Sequence, residues 1–198
     1  MLGHPFAIPG ITVGLLGGSF DPPHEGHVHV TKEAIKYFNL SKLWWLVSPK
    51  NPLKQIIPSG IDKRNLAAKK IINHPSVVIS DLEKNLKTKY TAETLFKIKK
   101  LYPGVKFVWL MGADNLVNFH YWYNWNWIMN NIPIGIFARS NEQVKAGLSL
   151  AASKYKKNRI PIEKSLLLPH LKPPVWTLII GPMKNASSTS LRKKGFWP

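Results

Sequence analysis

Short apolar runs alternate along this chain with longer stretches in which apolar residues recur at helical spacing. The apolar runs predict buried β-strands at residues 11–16, 43–47, 77–79, 105–111, 132–138 and 175–180. The helical spacing predicts helices at residues 26–38, 61–73, 91–101 and 119–128, and a further short helix that begins at Ser187. The order Ser59-Gly60-Ile61-Asp62 is typical of a capping box that opens the second helix. Residues 141–174 show no clear period.

This alternation of strands and helices indicates the α/β class. We expect a Rossmann-like, doubly wound and mostly parallel sheet with helices on both faces. Ligands of such sheets bind beyond the carboxyl ends of the strands, where the winding direction changes. A length of 198 residues suits one domain over residues 1–198, of which residues 1–10 are expected to form a flexible N-terminus.

The composition excludes several classes of protein. With 44% hydrophobic and 11% aromatic residues, the chain can build a substantial core, which argues against intrinsic disorder. The absence of Cys removes disulfides, thiolate nucleophiles and zinc sites of the usual Cys type. No apolar run reaches the roughly 18 residues that span a bilayer, and the first residues lack the basic start of a secretion signal. We therefore expect a cytoplasmic protein without a membrane partner.

The formal charge of +18 predicts an anionic substrate or partner. Four of the 28 basic residues are Arg, and the rest are Lys. Because bases read in a fixed bidentate geometry usually require Arg, no specific nucleic-acid partner is expected. Most of the Lys residues are interpreted as solvated surface, and a nucleic-acid-binding module that uses this charge stays open as an alternative.

The turn after the first strand carries the strongest candidate chemistry. It reads GGSFDPPHEGH from Gly17 to His27. Glycines let the backbone approach a ligand closely, and the amides of the residues after them can point at an anion such as phosphate. His24 and His27 lie three residues apart at the start of a helix, so we expect both imidazoles on one face, where they can donate to a phosphoryl group.

Other interpretations of the two imidazoles are weaker. They could be structural histidines, or they could form a metal cluster with His29. His29 is two positions from His27 and therefore points elsewhere, so no metal site is predicted. The glycines do not match the G-x-G-x-x-G fingerprint of dinucleotide-binding proteins, and the two prolines would stiffen that turn away from its usual geometry.

With this turn, the chain resembles the HxGH nucleotidyltransferases and, more narrowly, the bacterial nicotinate-nucleotide adenylyltransferases. The resemblance continues in order through residues 48–54, 89–95, 111–116, 119–122 and 187–192. It implies transfer of AMP from ATP to the phosphate of nicotinate mononucleotide, which gives the deamido dinucleotide and pyrophosphate in NAD synthesis. A related transferase that acts on another phosphate, such as phosphopantetheine, is the alternative within the enzymes.

The resemblance also implies roles for individual residues. His24, His27 and Arg192 would act on the phosphates of ATP as catalytic residues. The ATP site would further include Gly17, Gly18, Ser19, Phe20, Gly112, Asp114, Ser187, Ser188 and Thr189. Asp114 could instead cap a helix, and the Ser/Thr segment could be an ordinary helix cap. Mg²⁺ would arrive with ATP and be held by its phosphates and water.

A second set of residues would bind nicotinate mononucleotide. Lys54 would meet its phosphate, Trp122 would stack on its pyridine ring, and Thr91, Ala92 and Tyr123 would receive its carboxylate. Lys54 could equally be surface, and Trp122 could simply pack, because several aromatic residues surround it. A homo-oligomer is compatible with the sequence. Residues 195–198 depart from the family pattern, a difference expected to bear on stability or assembly rather than on chemistry.

Overall fold

Six parallel strands form the centre of the computed structural model, which describes residues 4–49, 57–138, 143–181, 188–193, 195 and 197. The strands are β1 (Thr12–Gly18), β2 (Lys42–Val47), β3 (Val77–Ser80), β4 (Lys106–Gly112), β5 (Ile134–Ala138) and β6 (Trp176–Ile180). Their order across the sheet is β3-β2-β1-β4-β5-β6, and every neighbouring pair is parallel. The winding therefore reverses between β1 and β4, which confirms the predicted doubly wound, Rossmann-like sheet.

Helices connect the strands. The α-helices are α1 (Glu25–Tyr37), α2 (Ile61–Ile71), α3 (Leu82–Asn85), α4 (Thr91–Leu101), α5 (Ala113–Val117), α6 (Trp125–Asn131), α7 (Gln143–Gly147), α8 (Leu150–Lys154) and α9 (Ser188–Lys193). Short 3₁₀ helices lie at Phe119–Tyr121, Lys156–Asn158 and Ile162–His170. The predicted strands and the first three predicted helices are confirmed, with bounds that agree within two residues.

Both faces of the sheet are buried. On one face, Trp44 and Trp109 pack with Leu95 and Ile98 of α4. On the other face, Trp45 and Val108 pack in a second cluster with residues of α1, of α2 and of the 3₁₀ helix Ile162–His170. Because each strand is covered on both sides, its sequence is a continuous apolar run rather than an alternating one.

Part of the N-terminal stretch lies against the end of α4. The hydroxyl of Tyr102 donates to the carbonyl of Pro5 at 2.8 Å, and the amide of Gly10 donates to the carbonyl of Gly104 at 2.8 Å. Over the part of the chain that the structure describes, no helix has the length and apolar character needed to cross a membrane.

The helix predicted at residues 119–128 is wrong as a continuous element. A 3₁₀ turn at Phe119–Tyr121 is followed by Asn124 in the left-handed region (φ 50°), and only then does α6 begin at Trp125. Asn tolerates this conformation better than most residues do, and it breaks the helix. Buried apolar residues lie on both sides of the break, Phe119 before it and Ile128 after it, so the apolar spacing concealed it.

The predicted capping box at Ser59 is also wrong. Gly60 occupies the N-cap of α2, and no side chain caps that helix end. Ser59 instead donates its amide N–H to Asp21 and accepts from Arg64 through its carbonyl.

Residues 141–174 showed no clear hydrophobic period in the sequence. Their described part contains two short α-helices and two 3₁₀ helices, each too short to produce a recognisable period. Ser187, the predicted start of the last helix, lies outside the described residues.

Candidate active site

His24 and His27 lie side by side directly after the glycine turn (residues 17–23). His24 is the N-cap of α1, and its Nδ1 accepts from the amide of Gly26 at 3.1 Å. Nδ1 of His27 accepts from the amide of His24, also at 3.1 Å. The two ring centroids are 3.8 Å apart. The predicted placement of both imidazoles on one face is therefore found.

These two hydrogen bonds decide which ring nitrogen carries the proton. A neutral imidazole that accepts at Nδ1 holds its proton on Nε2. Both rings are thus fixed as Nε2–H donors at the positive end of the α1 dipole. The same bonds satisfy two amides at the helix start that have no partner within the helix. The same two hydrogen bonds thus cap the start of α1 and orient two N–H donors that can bind an anion.

Phe20 packs against the ring of His27 and so supports the histidine pair. Its backbone is left-handed (φ 48°), a conformation that costs a bulky residue on the order of 1–2 kcal/mol. Its ring is buried, stacks on Trp45 at 4.7 Å and contacts His27 at 4.7 Å. The indole of Trp45 in turn donates to Oγ1 of Thr31, which donates to the carbonyl of His27. Packing and hydrogen bonds therefore hold the turn in its strained shape.

Packing requires a glycine at position 17. A Cβ there would collide with the indole of Trp109, so packing against β4 by itself requires glycine at position 17. At Gly18 a Cβ would meet the ring of Phe20 at 3.4 Å, an ordinary contact. Trp109 also packs edge-on against Trp122, with ring centroids 6.3 Å apart. It therefore lies between the glycine turn and the predicted pyridine-binding Trp.

The second predicted phosphate segment lies against the glycine turn. The hydroxyl of Ser188 donates to the carbonyl of Pro22 at 2.8 Å, and Arg192 donates to the carbonyl of Asp21. Nη2 of Arg192 also lies 3.4 Å from Oγ1 of Thr189. Residues that are 166 and 171 positions apart in sequence thus meet at one edge of the sheet.

The predicted residues after β4 lie at the same edge, because β4 pairs with β1. Gly112 is the N-cap of α5, and a Cβ there would collide with Oδ1 of Asp114. Asp114 is exposed and lies within the first turn of α5, where no side chain caps the helix end. The alternative that Asp114 serves as a helix cap is therefore wrong.

The predicted nicotinate residues cluster at the start of α4. Thr91 and Ala92 form its first turn, and within the described residues their amides make no hydrogen bond. The ring of Tyr123 lies 4.7 Å from that of Tyr90, the N-cap of α4. A surface groove of about 420 Å³ begins here and is lined by Ala92, Tyr123 and Trp127 among others. Lys54 lies outside the described residues.

Arg64 is a buried residue of this region that the sequence did not single out. Its guanidinium is 1% exposed and donates to the carbonyls of Ser19 at 2.6 Å, Ser48 at 2.7 Å, Ser59 at 2.7 Å and Pro49 at 3.4 Å. Burial lowers the pKa of Arg64, and the nearby charge of Asp21 opposes that shift. The available signal was its place on the apolar face of α2, three residues after Ile61 and four before Ala68.

Glu83 is a second buried charge that the sequence did not reveal. It lies on α3 and accepts a hydrogen bond from the side chain of Ser48 at the carboxyl end of β2. Burial raises the pKa of Glu83 to about 7, and the bond from Ser48 opposes this shift. In the described part of the chain, no group of three or more His, Cys, Asp or Glu could hold a metal ion.

Comparison with known proteins identifies the family of this chain. The cytidylyltransferase-like family matches residues 15–194. A protein of Ruegeria sp. (strain TM1040), described as a probable nicotinate-nucleotide adenylyltransferase, is 54% identical over 94% of this chain and 99% of its own length. A relative of the same description from Roseobacter denitrificans is 49% identical over 98% of each chain. This chain belongs to the nicotinate-nucleotide adenylyltransferases.

A solved structure agrees at the level of the fold. The nicotinic acid mononucleotide adenylyltransferase of Plasmodium falciparum, complexed with NaAD, has a TM-score of 0.69 to this chain at 20% identity, over 92% of this chain and 83% of that one. The two bacterial relatives, at 54% and 49% identity, confirm the predicted adenylyltransferase family. The match of the cytidylyltransferase-like family to residues 15–194 includes both the glycine turn and α9 but ends before Trp197.

The raised pKa of Glu83 predicts how the stability of this adenylyltransferase depends on pH. The folded state binds the proton more tightly than the unfolded state, whose carboxyl titrates near 4.5, so the unfolding free energy falls as pH rises from about 4.5 to 7. Glu83→Gln should remove this loss and gain on the order of 3 kcal/mol over the native protein at pH 8, but little at pH 4.5. Urea unfolding at both pH values measures the difference.

The matched control for this prediction is Glu163→Gln, which makes the same change at an exposed position. It should alter the unfolding free energy by less than about 0.5 kcal/mol at either pH. An equal effect of Glu83→Gln at pH 4.5 and pH 8 would contradict the assignment of a buried carboxyl that protonates near neutrality.

Proposed function

We propose that this chain transfers the adenylyl group of ATP to the phosphate of nicotinate mononucleotide. The observation that carries the proposal is the pair of imidazoles at the start of α1, which are fixed as Nε2–H donors. The α9 segment lies beside them, because Ser188 contacts Pro22 of the glycine turn. Paired donors of this kind suit an anion whose charge shifts during reaction. The family supplies the identity of the two substrates.

The chemistry needs no protein nucleophile. A phosphate oxygen of the mononucleotide attacks the α-phosphorus of ATP, a new P–O bond forms, and the bond from the α-phosphorus to the bridging oxygen breaks as pyrophosphate leaves. The protein positions the reactants and stabilises charge. His24 and His27 donate to the phosphates through Nε2, while Ser188, Thr189 and Arg192 bind the same phosphates from the facing side.

Mg²⁺ is proposed as part of the substrate MgATP. The described carboxylates do not form a cluster that could hold the ion, and Oδ1 of Asp21 already accepts two hydrogen bonds. Phosphate oxygens and water are the ligands that Mg²⁺ prefers in such sites. No step is assigned to a metal held by the protein.

The nicotinate half of the site favours the acid over the amide. The amides of Thr91 and Ala92 lie at the positive end of α4, an 11-residue helix, and this end favours a carboxylate over a neutral carboxamide. Trp122 offers a flat face for the pyridine ring, held against Phe119 and Trp109. We place Tyr123 beside the carboxylate and Lys54 at the mononucleotide phosphate, and we expect the reaction in the cytoplasm.

The proposed reaction predicts a direct assay result. The purified protein with MgATP should release pyrophosphate when given nicotinate mononucleotide, and it should do so at least about tenfold more slowly with nicotinamide mononucleotide, because only the acid matches the dipole of α4. A coupled pyrophosphate assay measures both rates. Turnover with neither mononucleotide would contradict the proposal. Turnover with phosphopantetheine, or salt-sensitive nucleic-acid binding without pyrophosphate release, would favour the corresponding alternative.

The roles of the imidazoles are tested by substitutions that separate helix capping from phosphate binding. Asn is a good N-cap because its oxygen can accept the amide, but it has no donor in the place of Nε2. We expect His24→Asn to retain the thermal midpoint and to lower kcat/KM about 100-fold. His24→Ala should lose a similar amount of activity and in addition about 1 kcal/mol of stability.

His27 is the third residue of α1, so its capping substitute is Gln, whose oxygen can accept from the amide of His24. His27→Gln should likewise lower kcat/KM about 100-fold and retain most of the stability. If His24→Asn and His27→Gln were as active as the native protein, the imidazoles would serve only as caps, and the phosphates would bind elsewhere.

A further inference from the structure

Trp197 contacts the glycine turn from a position beyond the range that the family match covers. Its indole N–H is shared between Oδ1 of Asp21, at 2.7 Å, and Oγ of Ser59, at 3.1 Å. Nζ of Lys63 lies 4.5 Å from the ring centroid, so the ring also makes a cation–π contact. The side chain is half-buried. Residues 195–198 were expected to bear on stability or assembly, yet Trp197 contacts the glycine turn, which leads directly into His24 and His27.

The partner of this indole is a buried carboxylate. Asp21 is 4% exposed, and its Oδ1 accepts from the amide of Ser59 as well as from Trp197. Two N–H donors on one oxygen fix the rotation of the carboxylate. Its other oxygen, Oδ2, lies 3.8 Å from Nη1 of Arg192, so the two side chains form a loose ion pair without a hydrogen bond.

Arg192 therefore has two anions that it could pair with. One is the carboxylate of Asp21, and the other is the phosphate of ATP. In the present arrangement Arg192 hydrogen-bonds to the carbonyl of Asp21 and makes only a looser ion pair with its carboxylate. A carboxylate released from the indole could rotate and form the strong bidentate pair that Arg favours, which would withhold the guanidinium from phosphate.

We infer that Trp197 is a positioning residue for ATP: its indole N–H limits the Asp21 carboxylate to a loose ion pair with Arg192 and so keeps Arg192 available to the phosphates. The inference rests on the proposed function for the identity of the anion. It assigns to Trp197 a part in the adenylyl-transfer site.

Trp197→Phe tests this inference, because it keeps an aromatic ring beside Lys63 and removes the N–H donor. We expect the Kd of Mg²⁺ with an α,β-methylene analogue of ATP, measured by calorimetry, to rise about tenfold. The KM for ATP should rise by the same factor, while the KM for nicotinate mononucleotide and kcat change less than twofold. An unchanged Kd for the analogue would overturn the inference.

A matched control separates this effect from general destabilisation. Trp176 on β6 donates its indole N–H to the carbonyl of Tyr155 at 2.8 Å, away from the glycine turn. Trp176→Phe should lower the thermal midpoint and leave the Kd of the analogue within twofold of the native value. A similar rise of Kd in both variants would show that Trp197 has only a structural role.

The Asp21→Asn background tests whether the indole acts through the carboxylate charge. Asn still accepts from the indole but cannot pair with Arg192 as an anion, so adding Trp197→Phe there should change the Kd less than twofold. A further tenfold rise in that background would overturn the inference. Failure of the proposed function is distinguishable, since the native protein would then bind the analogue without releasing pyrophosphate from ATP and nicotinate mononucleotide.

Discussion

The buried guanidinium of Arg64 joins three segments that are distant in sequence, and the site depends on this junction. It donates to carbonyls of the glycine turn, of the end of β2 and of the residue before the N-cap of α2. A buried cation is costly unless its donors are satisfied, and here four carbonyls and the charge of Asp21 compensate for the lost water. Removing any of these segments would leave a buried charge unpaired, so they move little relative to one another.

Asp21 extends the junction to α9 and Trp197. Its carbonyl accepts from Arg192, and its carboxylate accepts from Ser59 and Trp197. The His pair lies immediately after this turn and is anchored on the other side by Phe20, Trp45 and Thr31. Two supports, one polar and one apolar, thus hold a left-handed residue and two imidazoles in the geometry that an anion requires. Preorganisation of this kind is what adenylyl transfer demands of a protein that supplies no nucleophile.

The fold was predictable from the sequence because its signals are local. Each parallel strand is buried on both faces and therefore appears as an apolar run, and most helices show their period. The sequence also predicted that His24 and His27 share a face, since three residues at a helix start suffice to decide it. The break at Asn124 was missed because a left-handed residue leaves no mark on an apolar pattern.

The supporting residues of the site were not predictable because their partners are remote. Arg64 reaches Ser19 across 45 positions, and Trp197 reaches Asp21 across 176. Glu83 had the pattern of a surface carboxylate on a short helix, and only its packing beneath the end of β2 buries it. The packing requirement at Gly17 was not predictable either, since its partner Trp109 lies on β4, 92 positions later in the chain.

The kinetics of Arg64→Lys test most directly whether this junction positions both substrates. Lys carries a single ammonium in place of the planar fork and cannot reach all three segments at once. The KM for ATP and the KM for nicotinate mononucleotide should therefore rise together, each by at least about fivefold, because the glycine turn and the loop after β2 lose the same support. A variant with a lower thermal midpoint but with both KM values unchanged would contradict the account.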